Sequence, residues 1–262
     1  MAYIRSSDQD LLIELRKKIL ITATMKRRGH IPSALSILDI LFAIYIQLPK
    51  LSSKNVLTED TFILSKGHAA LALYAVLEQA TAIDSNWMNT FSDFESDFGG
   101  HPDMRKISGV NASTGSLGHG LPFSLGKVLA KRLKNNTSRV YCLIGDGEMN
   151  EGSIWESLLL ASHHAMKELV LIVDQNNSNK RALNLGDLEA KFRAFGFNAI
   201  TINGHSQSEL ILALTDEGNG EPKVIIAETV KGFGVSEMEN NPAWHHAYPS
   251  EEQLASMLKE LK

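Results

Sequence analysis

Short apolar runs alternate with amphipathic segments through the second half of the chain, and this alternation constrains the fold more than any other feature. Runs with strand character occupy 140–144, 169–173, 198–202 and 224–227, and segments with helical spacing lie between them at 153–164, 188–194 and 209–214. Apolar strands that alternate with helices are typical of a parallel sheet, because the helices then cover both of its faces. The sequence therefore predicts an α/β fold with a mostly parallel sheet and helices on both faces.

The first half of the chain adds helices, one further strand and a long loop. Helical spacing occurs at 8–28, 35–48, 71–77 and 122–133, a short strand at 61–64, and a terminal helix at 250–261. Gly29 and Pro32 separate the first two helices. The segment 94–120 is rich in Gly, Ser and Asp, and such a long loop in a compact domain is more often functional than decorative. No linker divides the chain, so we predict a single domain over 1–262.

Charge and cysteine content restrict the function classes. A net charge of −4 and a pI near 6.1 give no electrostatic reason to expect nucleic acid. No apolar run approaches the ~18 residues of a membrane helix, and the N-terminal segment has mixed charges where a signal peptide is apolar. The single cysteine, Cys142, lies in an apolar run and is predicted to be a buried thiol. We therefore expect a cytoplasmic protein that binds neither nucleic acid nor membranes.

Polar side chains follow two of the predicted strands at the point where each strand ends. Asp146 stands between Gly145 and Gly147 after one strand, and Asn176 and Asn177 follow the next. Ligands of open parallel sheets gather beyond the carboxyl ends of the strands, so a carboxylate and an amide oxygen should converge there. Mg²⁺ prefers such oxygen ligands. Either motif alone is common in ordinary turns, and only their combination favours a metal site. The spacing leaves open which of the two asparagines would be the ligand.

The combination of Gly-Asp-Gly and a later Asn-Asn pair resembles the signature of thiamine diphosphate enzymes, and other motifs narrow the resemblance to the transketolase family. They cover nearly the whole chain and read "GHIPSALSILDIL", "FILSKGHAALALYAVL", "GHPD", "ASTGSLGHGL", "GDGEMNEGSIWE" and "ETVKGFGVSEMENNPAWHHAYP". The resemblance implies the thiamine diphosphate-binding fold, in its diphosphate-binding (PP-type) form. It also implies transfer of a two-carbon ketol unit between a ketose and an aldose. The implied cofactors are thiamine diphosphate and Mg²⁺, with Ca²⁺ or Mn²⁺ as possible substitutes.

The resemblance also implies roles for individual residues. The metal ligands would be the side chains of Asp146 and Asn176 and the backbone carbonyl of Ser178. Cofactor contacts are implied for Gly115, Ser116, Leu117, Gly145, Gly147, Glu148, Glu156, His68 and His245. His30, His68 and His101 would line the substrate channel, and His245 would approach the reacting centre. Histidine suits proton relays because its pKa lies near neutrality and its ring can donate or accept. Glu148, Glu151 and Glu156 are also explained as favourable charges in the first turn of a helix.

A complete transketolase chain is far longer than this one, and the resemblance covers only its first half. The family's second domain binds the aminopyrimidine ring and carries the glutamate that activates the cofactor. We therefore expect the N-terminal subunit of a split transketolase, active only with a C-terminal partner subunit, in an α2β2 assembly that acts on sugars or sugar phosphates. Departures from the family pattern, such as His119 where glutamine is usual, leave the donor and acceptor sugars open.

Three alternatives come from other classes. The first is another thiamine enzyme, such as a 2-oxo acid dehydrogenase α subunit or a deoxyxylulose phosphate synthase, and the histidine-bearing motifs argue against both. The second is a non-catalytic scaffold protein, against which the retention of Asp146, Asn176 and the histidines argues. The third is a dinucleotide-binding enzyme, which would require a G-x-G-x-x-G motif after its first strand, and the sequence lacks it.

Overall fold

The computed structural model describes residues 6–48, 60–181 and 183–261, and within these ranges helices surround one five-stranded sheet. The helices are α1 (Ser6–Lys26), α2 (Ile31–Phe42), α3 (Ala70–Gln79), α4 (Trp87–Thr90), α5 (Gly120–Leu133), α6 (Gly152–His163), α7 (Leu188–Ala194), α8 (Gln207–Thr215) and α9 (Glu251–Glu260). The strands are β1 (Thr61–Leu64), β2 (Val140–Gly145), β3 (Leu169–Gln175), β4 (Asn198–Asn203) and β5 (Lys223–Glu228). Each predicted helix and strand is present within these ranges, where the short α4 and several 3₁₀ turns were not expected. In the described ranges, no helix is both long enough and apolar enough to cross a bilayer.

The sheet is parallel throughout, in the order β1-β2-β3-β5-β4. β2 and β3 are direct neighbours, and their register pairs Gly145 with Asp174. The carboxyl ends of these two strands therefore lie side by side at one edge of the sheet. This arrangement confirms the predicted α/β fold and brings together the polar residues that follow β2 and β3.

Successive residues of the strands face opposite sides of the sheet, and each side has its own apolar core. In β2, Tyr141 and Leu143 pack with residues of α1, α2, α3 and α8, whereas Cys142 and Ile144 pack with residues of α5, α6 and α7. This alternation follows from the pleat of a strand. Cys142 is a free, buried thiol, as predicted. The helices cover both faces of the sheet, and whether the chain folds as a single domain stays a prediction.

Helix α2 begins earlier than the apolar pattern indicates. It starts at Ile31, and Pro32 lies in its first turn, where the missing backbone N–H removes no helical hydrogen bond. All of its residues are buried, and a π-helical turn, Ala43–Gln47, continues it. The early start has a consequence for the site, because it places His30 immediately before a buried helix.

The long loop between α4 and α5 is held against the sheet. Residues 91–119 contain neither helix nor strand, in agreement with the predicted loop. Thr114 Oγ1 donates to the carbonyl of Leu64 at 2.6 Å, and the N–H of Phe62 donates to Oδ1 of Asn111 at 3.1 Å. Both contacts are with β1, so the end of the loop lies next to the carboxyl edge of the sheet.

Candidate active site

Asp146 and Asn176 lie on neighbouring turns at the carboxyl edge of the sheet. Asp146 follows β2 directly and begins a 3₁₀ turn, Asp146–Asn150. Asn176 follows β3 and precedes a second 3₁₀ turn, Ser178–Arg181. Only 1% of Asp146 and 6% of Asn176 is exposed. The N–H of Asn179 donates to Oδ2 of Asp146 at 3.5 Å, and this contact joins the two turns.

The side-chain amide of Asn176 is oriented by its neighbours. Its Nδ2 donates to Oδ2 of Asp174 at 2.8 Å, and its Oδ1 accepts from the N–H of Ser178 at 3.1 Å. Because an ionised carboxylate can only accept, the contact with Asp174 determines which atom of the amide is the nitrogen. Asn177 is exposed and has a φ of +63°, so it lies in a different environment. Of the two asparagines, Asn176 offers the buried carbonyl oxygen.

The donor atoms at this edge suit a hard divalent cation. Burial and the neighbouring Asp174 raise the pKa of Asp146 to about 6. In the described part of the chain, the donors to its carboxylate are the backbone N–H groups of Asn179 and Gly147. A dication would hold this carboxylate in its ionised form. Carboxylate, amide and carbonyl oxygens are ligands that Mg²⁺ accepts, so the side chains of Asp146 and Asn176 and the carbonyl of Ser178 fit such an ion.

Beneath the two turns lies a buried ionic network, formed by Lys66, Asp174, Ser36 and Thr229. Nζ of Lys66 contacts Oδ2 of Asp174 at 2.5 Å, and the two side chains are 2% and 0% exposed. Oγ of Ser36 donates to the same oxygen at 2.9 Å, and Oγ1 of Thr229 donates to the other. Burial alone would raise the pKa of Asp174, but the Lys66 ammonium and the hydroxyl donors outweigh it and hold the pKa below its usual range. The network fixes Asp174, and with it the amide of Asn176.

Glu148 connects the long loop to the end of β2. Its Oε1 accepts from Oγ of Ser65 at 2.6 Å and from the N–H of Gly118 at 3.0 Å, and its Oε2 accepts from the N–H of Gly145 at 3.0 Å. Oγ of Ser153 holds the same loop by donating to the carbonyl of Gly118 at 2.7 Å. Protein donors therefore occupy both oxygens of Glu148, and its place in the site is to support the loop.

The supported loop presents backbone donors next to the metal-ligand turns. The N–H groups of Gly115, Ser116 and Leu117 have no hydrogen-bond acceptor among the described residues. His101 packs closely against this loop, because a Cβ at Gly115 would lie 3.0 Å from Cδ2 of the ring. Consecutive backbone N–H groups without a protein acceptor are available to an anion such as a diphosphate.

Four histidines, His30, His68, His245 and His246, form a cluster beside the two turns. The ring centroid of His30 lies 5.2 Å from that of His68, 5.4 Å from that of His245 and 4.7 Å from that of His246. They come from three separate segments, namely the start of α2, the turn after β1 and the region of the 3₁₀ turn Pro242–His245. Rings from distant parts of the sequence thus share one small region.

The two most buried rings of the cluster are uncharged at neutral pH. Burial, together with His246, His245 and His101, lowers the pKa of His30 to about 4, and burial and Lys66 lower the pKa of His68 to about 2. A neutral imidazole has one donor and one acceptor nitrogen. Nδ1 of His30 is buried and has no hydrogen-bond partner within the described residues. Neutral rings with free hydrogen-bonding capacity are suited to bind the hydroxyl groups of a polar ligand.

The turn after β3 and His245 of the histidine cluster border a cleft of about 470 Å³. It is lined by Asn176, Asn177, Ser178, Lys231, Asn240, Asn241, Pro242 and His245. Lys231 joins the two sides, since its Nζ donates to Oγ of Ser178 at 3.1 Å and lies 3.3 Å from Nδ1 of His245. A ligand in this cleft would contact both the turn after β3 and His245.

Comparison with known proteins identifies the family to which this fold belongs. Residues 9–261 match the family described as "Transketolase, thiamine diphosphate binding domain". The chain belongs to the transketolase family. Its helices and its parallel sheet are therefore those of a thiamine diphosphate-binding transketolase domain.

Relatives within the transketolase family include both separate subunits and long single chains. The chain is 34% identical to a subunit of the apulose-4-phosphate transketolase of Actinobacillus succinogenes, over 94% of this chain and 92% of that protein. It is 33% identical to the 6-deoxy-6-sulfo-D-fructose transketolase subunit SqwG of a Clostridium species, over 89% of this chain and 88% of that protein. The crystal structure of the Campylobacter jejuni transketolase superposes with a TM-score of 0.89 at 29% identity, over 98% of this chain and 43% of that one. The chain thus spans less than half the length of that transketolase and most of the length of the separate subunits.

Most of the residues suggested by the resemblance to transketolase lie together at the carboxyl edge of the sheet. Glu156 lies elsewhere, on the exposed side of α6, and it is not among the described residues that line the cleft. His119 is also exposed and contacts the carbonyl of Leu117 through Nδ1 at 3.0 Å. His163 ends α6 and takes no part in the cleft.

Sequence analysis missed several residues that build the candidate site. They are Lys66, Asp174, Ser65, Lys231 and His246. Two of them had a usable signal, since Lys66 follows closely after β1 and Asp174 is a charged residue within an apolar strand. The contacts of Ser65 and Lys231 depend on segments far apart in the sequence, and no local pattern indicates them.

Proposed function

We propose that this chain is the N-terminal subunit of a split transketolase of carbohydrate metabolism. The complete enzyme would transfer a two-carbon ketol unit from a ketose to an aldose, using thiamine diphosphate and Mg²⁺. The observation that carries the proposal is the cleft in which Asn176 and Ser178 face His245, next to the neutral rings of His30 and His68. A phosphate-bearing cofactor and a polyhydroxylated substrate are the ligands that such a combination suits.

The residues proposed to bind the cofactor lie on the turns after β2 and β3 and on the loop that precedes α5. Thiamine diphosphate, when bound, supplies the electron sink for the transfer. Asp146, Asn176 and the carbonyl of Ser178 would hold the Mg²⁺ that neutralises the diphosphate, and the N–H groups of Gly115, Ser116 and Leu117 would contact it. Gly145 and Gly147 flank Asp146 and would contact the cofactor, and Glu148 supports the loop. Ca²⁺ or Mn²⁺ offers the same preference for oxygen ligands and is expected to substitute for Mg²⁺.

The histidines would handle the sugar. His30, His68 and His101 come from different segments and would line the substrate path, and His245 lies near both Lys231 and the metal-ligand turns. Because His30 and His68 are neutral at physiological pH, each can donate to one hydroxyl and accept from another. The accepting nitrogen of such a ring can take a proton directly from a substrate hydroxyl.

A partner subunit would complete the enzyme. It would bind the aminopyrimidine ring of the cofactor and carry the activating glutamate, in the α2β2 assembly that we propose. The exposed apolar side chains of α5 and α6 support this, and they are Phe123, Leu129, Leu133, Leu159 and Leu160, between 42% and 87% exposed. Exposed apolar groups concentrated on two adjacent helices are typical of a surface that another protein covers. Glu156 lies on the exposed side of α6, where it would face the partner.

Sugar phosphates are the proposed substrates, with the individual sugars unassigned. The two subunit relatives are named for apulose 4-phosphate and for 6-deoxy-6-sulfo-D-fructose, which are ketoses that carry an anionic group. The predicted location remains the cytoplasm, which agrees with the free, buried thiol of Cys142.

Reconstitution tests the proposal. The chain, a candidate C-terminal partner and their mixture are assayed for ketol transfer in thiamine diphosphate and Mg²⁺. The donor panel contains xylulose 5-phosphate, apulose 4-phosphate and 6-deoxy-6-sulfo-D-fructose. Activity is expected only in the mixture and only with the cofactor. Full activity of the isolated chain would contradict the split-enzyme proposal, and cofactor binding without any ketol transfer would contradict the proposed reaction.

A further inference from the structure

We propose that His30, His245 and His246 form a binding site for a borderline divalent transition ion, with Zn²⁺ as the best-suited member of that class. The site is distinct from the Mg²⁺ site at Asp146 and Asn176, because its donors are imidazole nitrogens and not oxygens. Its existence does not require the proposed transketolase reaction.

Convergence of the three rings is the first observation behind this site. One ring nitrogen from each histidine lies within 4.8 Å of one from each of the others. The ring centroids are 4.4 to 5.4 Å apart and the rings meet edge-on, so the ring faces do not stack on one another. Tetrahedral coordination at about 2.0–2.1 Å per bond requires the nitrogens to be roughly 3.4 Å apart. His245 and His246 are exposed, so rotation of their side chains can close the difference.

The backbone around the rings is fixed even though two of the rings are exposed. The hydroxyl of Tyr248 donates to the carbonyl of Gly29 at 3.2 Å, which ties the segment after His246 to the segment before His30. Trp244, adjacent to His245, is 7% exposed and belongs to the core. The cluster therefore does not depend on a flexible terminus to bring its members together.

The hydrogen-bonding state of His30 also favours binding of a transition-metal ion. A metal-binding histidine must present an unprotonated nitrogen, and Nδ1 of His30 is buried with no hydrogen-bond partner in the described part of the chain. A buried polar atom without a partner is costly, and coordination to a cation would satisfy it. The three protein ligands leave the fourth tetrahedral position to water or another small ligand.

The positive charge of Lys231 disfavours a cation at this site, and this provides a second test of the proposal. Its Nζ lies 3.3 Å from Nδ1 of His245, where its positive charge repels a dication and competes for the ring. Zn²⁺ must therefore displace Lys231 from His245 or bind through the opposite nitrogen. We expect Lys231→Met to tighten Zn²⁺ binding severalfold. If Zn²⁺ instead bound a histidine pair elsewhere on the surface, such as His163 and His164, this substitution would leave the affinity unchanged.

Isothermal titration of the full-length, metal-stripped chain with Zn²⁺ tests the site. Millimolar Mg²⁺ is present throughout, and thiamine diphosphate and sugars are absent, so the result is independent of the proposed activity. One equivalent of Zn²⁺ is expected to bind, and His246→Gln is expected to weaken its binding by at least about tenfold. His246 is exposed, so this variant is expected to fold normally, which circular dichroism checks.

Matched histidine variants separate this site from ordinary surface binding. His119→Gln and His163→Gln remove histidines elsewhere in the chain, and they are expected to change Zn²⁺ affinity by less than twofold. X-ray absorption of the Zn²⁺ complex is expected to show three imidazole ligands. Unchanged affinity in both His246→Gln and His245→Gln, or loss of the binding in His163→Gln, would overturn the proposal.

Discussion

The buried ionic network and the histidine cluster are adjacent, yet their polar groups are satisfied in opposite ways. In the network, both oxygens of Asp174 receive hydrogen bonds from Lys66, Ser36, Thr229 or Asn176, and the central ion pair is essentially inaccessible to solvent. In the cluster, the rings contact chiefly one another, and Nδ1 of His30 has no partner among the described residues. One region is complete in the protein alone, and the other becomes complete only with a ligand.

His205, which lies outside the cluster, shows that unsatisfied ring nitrogens are not a general property of the histidines in this chain. His205 stacks on Phe233 with a centroid distance of 3.6 Å, and both of its ring nitrogens are engaged. Nδ1 contacts Oδ2 of Asp39 at 2.9 Å, and Nε2 accepts from the N–H of Val230 at 2.9 Å. A histidine with both nitrogens satisfied has a structural role, so the cluster around His30, whose Nδ1 has no partner among the described residues, is the one to test for binding.

The largest expected effect comes from breaking the buried ionic network. Lys66→Met leaves the carboxylate of Asp174 buried without its cation, and we expect the free energy of unfolding to fall by about 3–5 kcal/mol. Urea denaturation of the purified chain measures it. The matched control is Lys17→Met, because the pair of Lys17 with Glu14 is exposed, and a loss below about 1 kcal/mol is expected there. An equal loss of unfolding free energy in the two variants would show that the buried Lys66–Asp174 pair stabilises the fold no more than the exposed Lys17–Glu14 pair.

The next effect concerns cofactor affinity and the choice between the asparagines. Asp146→Asn removes the charge that would hold Mg²⁺, and we expect thiamine diphosphate affinity of the reconstituted enzyme to fall about 100-fold, which corresponds to about 2.7 kcal/mol. Calorimetric titration in Mg²⁺ measures it. Asn176→Ala is expected to cause a comparable loss, and Asn177→Ala less than about a threefold one, since Asn177 is exposed. The reverse order of the two asparagine variants would assign the metal ligand to Asn177.

A smaller effect separates function from stability at the cluster. His68→Gln is expected to lower kcat/KM for the sugar about tenfold in the reconstituted enzyme, or about 1.4 kcal/mol. The unfolding free energy should change by less than about 0.5 kcal/mol, because the ring makes few hydrogen bonds that stabilise the fold. His163→Gln serves as the control for both measurements. A loss of unfolding free energy without a loss of kcat/KM would show that His68 has a structural role and does not bind the sugar.

The smallest effect is in the pH dependence of stability, and the pH range in which stability is lost distinguishes the two regions. His30 has a folded pKa of about 4, below the ~6.5 of an unfolded histidine, so the unfolded chain binds more protons between these values. Stability is therefore expected to decrease as the pH falls from about 6.5 toward 4. Asp174 has a lowered pKa, so its contribution is present above the ordinary carboxyl range and is lost only as the pH falls further.

Thermal unfolding at pH 7 and pH 5 measures this difference. His30 is only partly buried, and solvent screening reduces the effect to below about 1 kcal/mol, a shift of roughly 2–4 °C. His30→Gln is expected to remove part of the decrease, His68→Gln a further part because its pKa is also lowered, and His163→Gln to leave it unchanged. A decrease of the same size in His30→Gln would indicate that other groups are responsible.

Much of the fold could be predicted from the sequence because its causes are local. The alternation of apolar strands and amphipathic helices from 140 onward depends on residues close together in the chain, and it predicted the parallel sheet correctly. The rule that ligands gather at carboxyl ends of strands then predicted that Asp146 and Asn176 would be neighbours. The start of α2 was less well predicted, because Pro32 reads as a helix breaker although the first helical turn tolerates it.

The sequence by itself determined the sheet, the two turns at its edge and membership in a family with a known cofactor, since each rests on local spacing or on motifs. Only the tertiary structure decided that Lys66 neutralises Asp174, that Glu148 supports the long loop, and that His246 joins His30 in one cluster. The physical reason is that burial and unsatisfied hydrogen bonds depend on contacts between distant segments. A histidine reads the same in the sequence whether both of its nitrogens are satisfied, as in His205, or one is left for a ligand, as in His30.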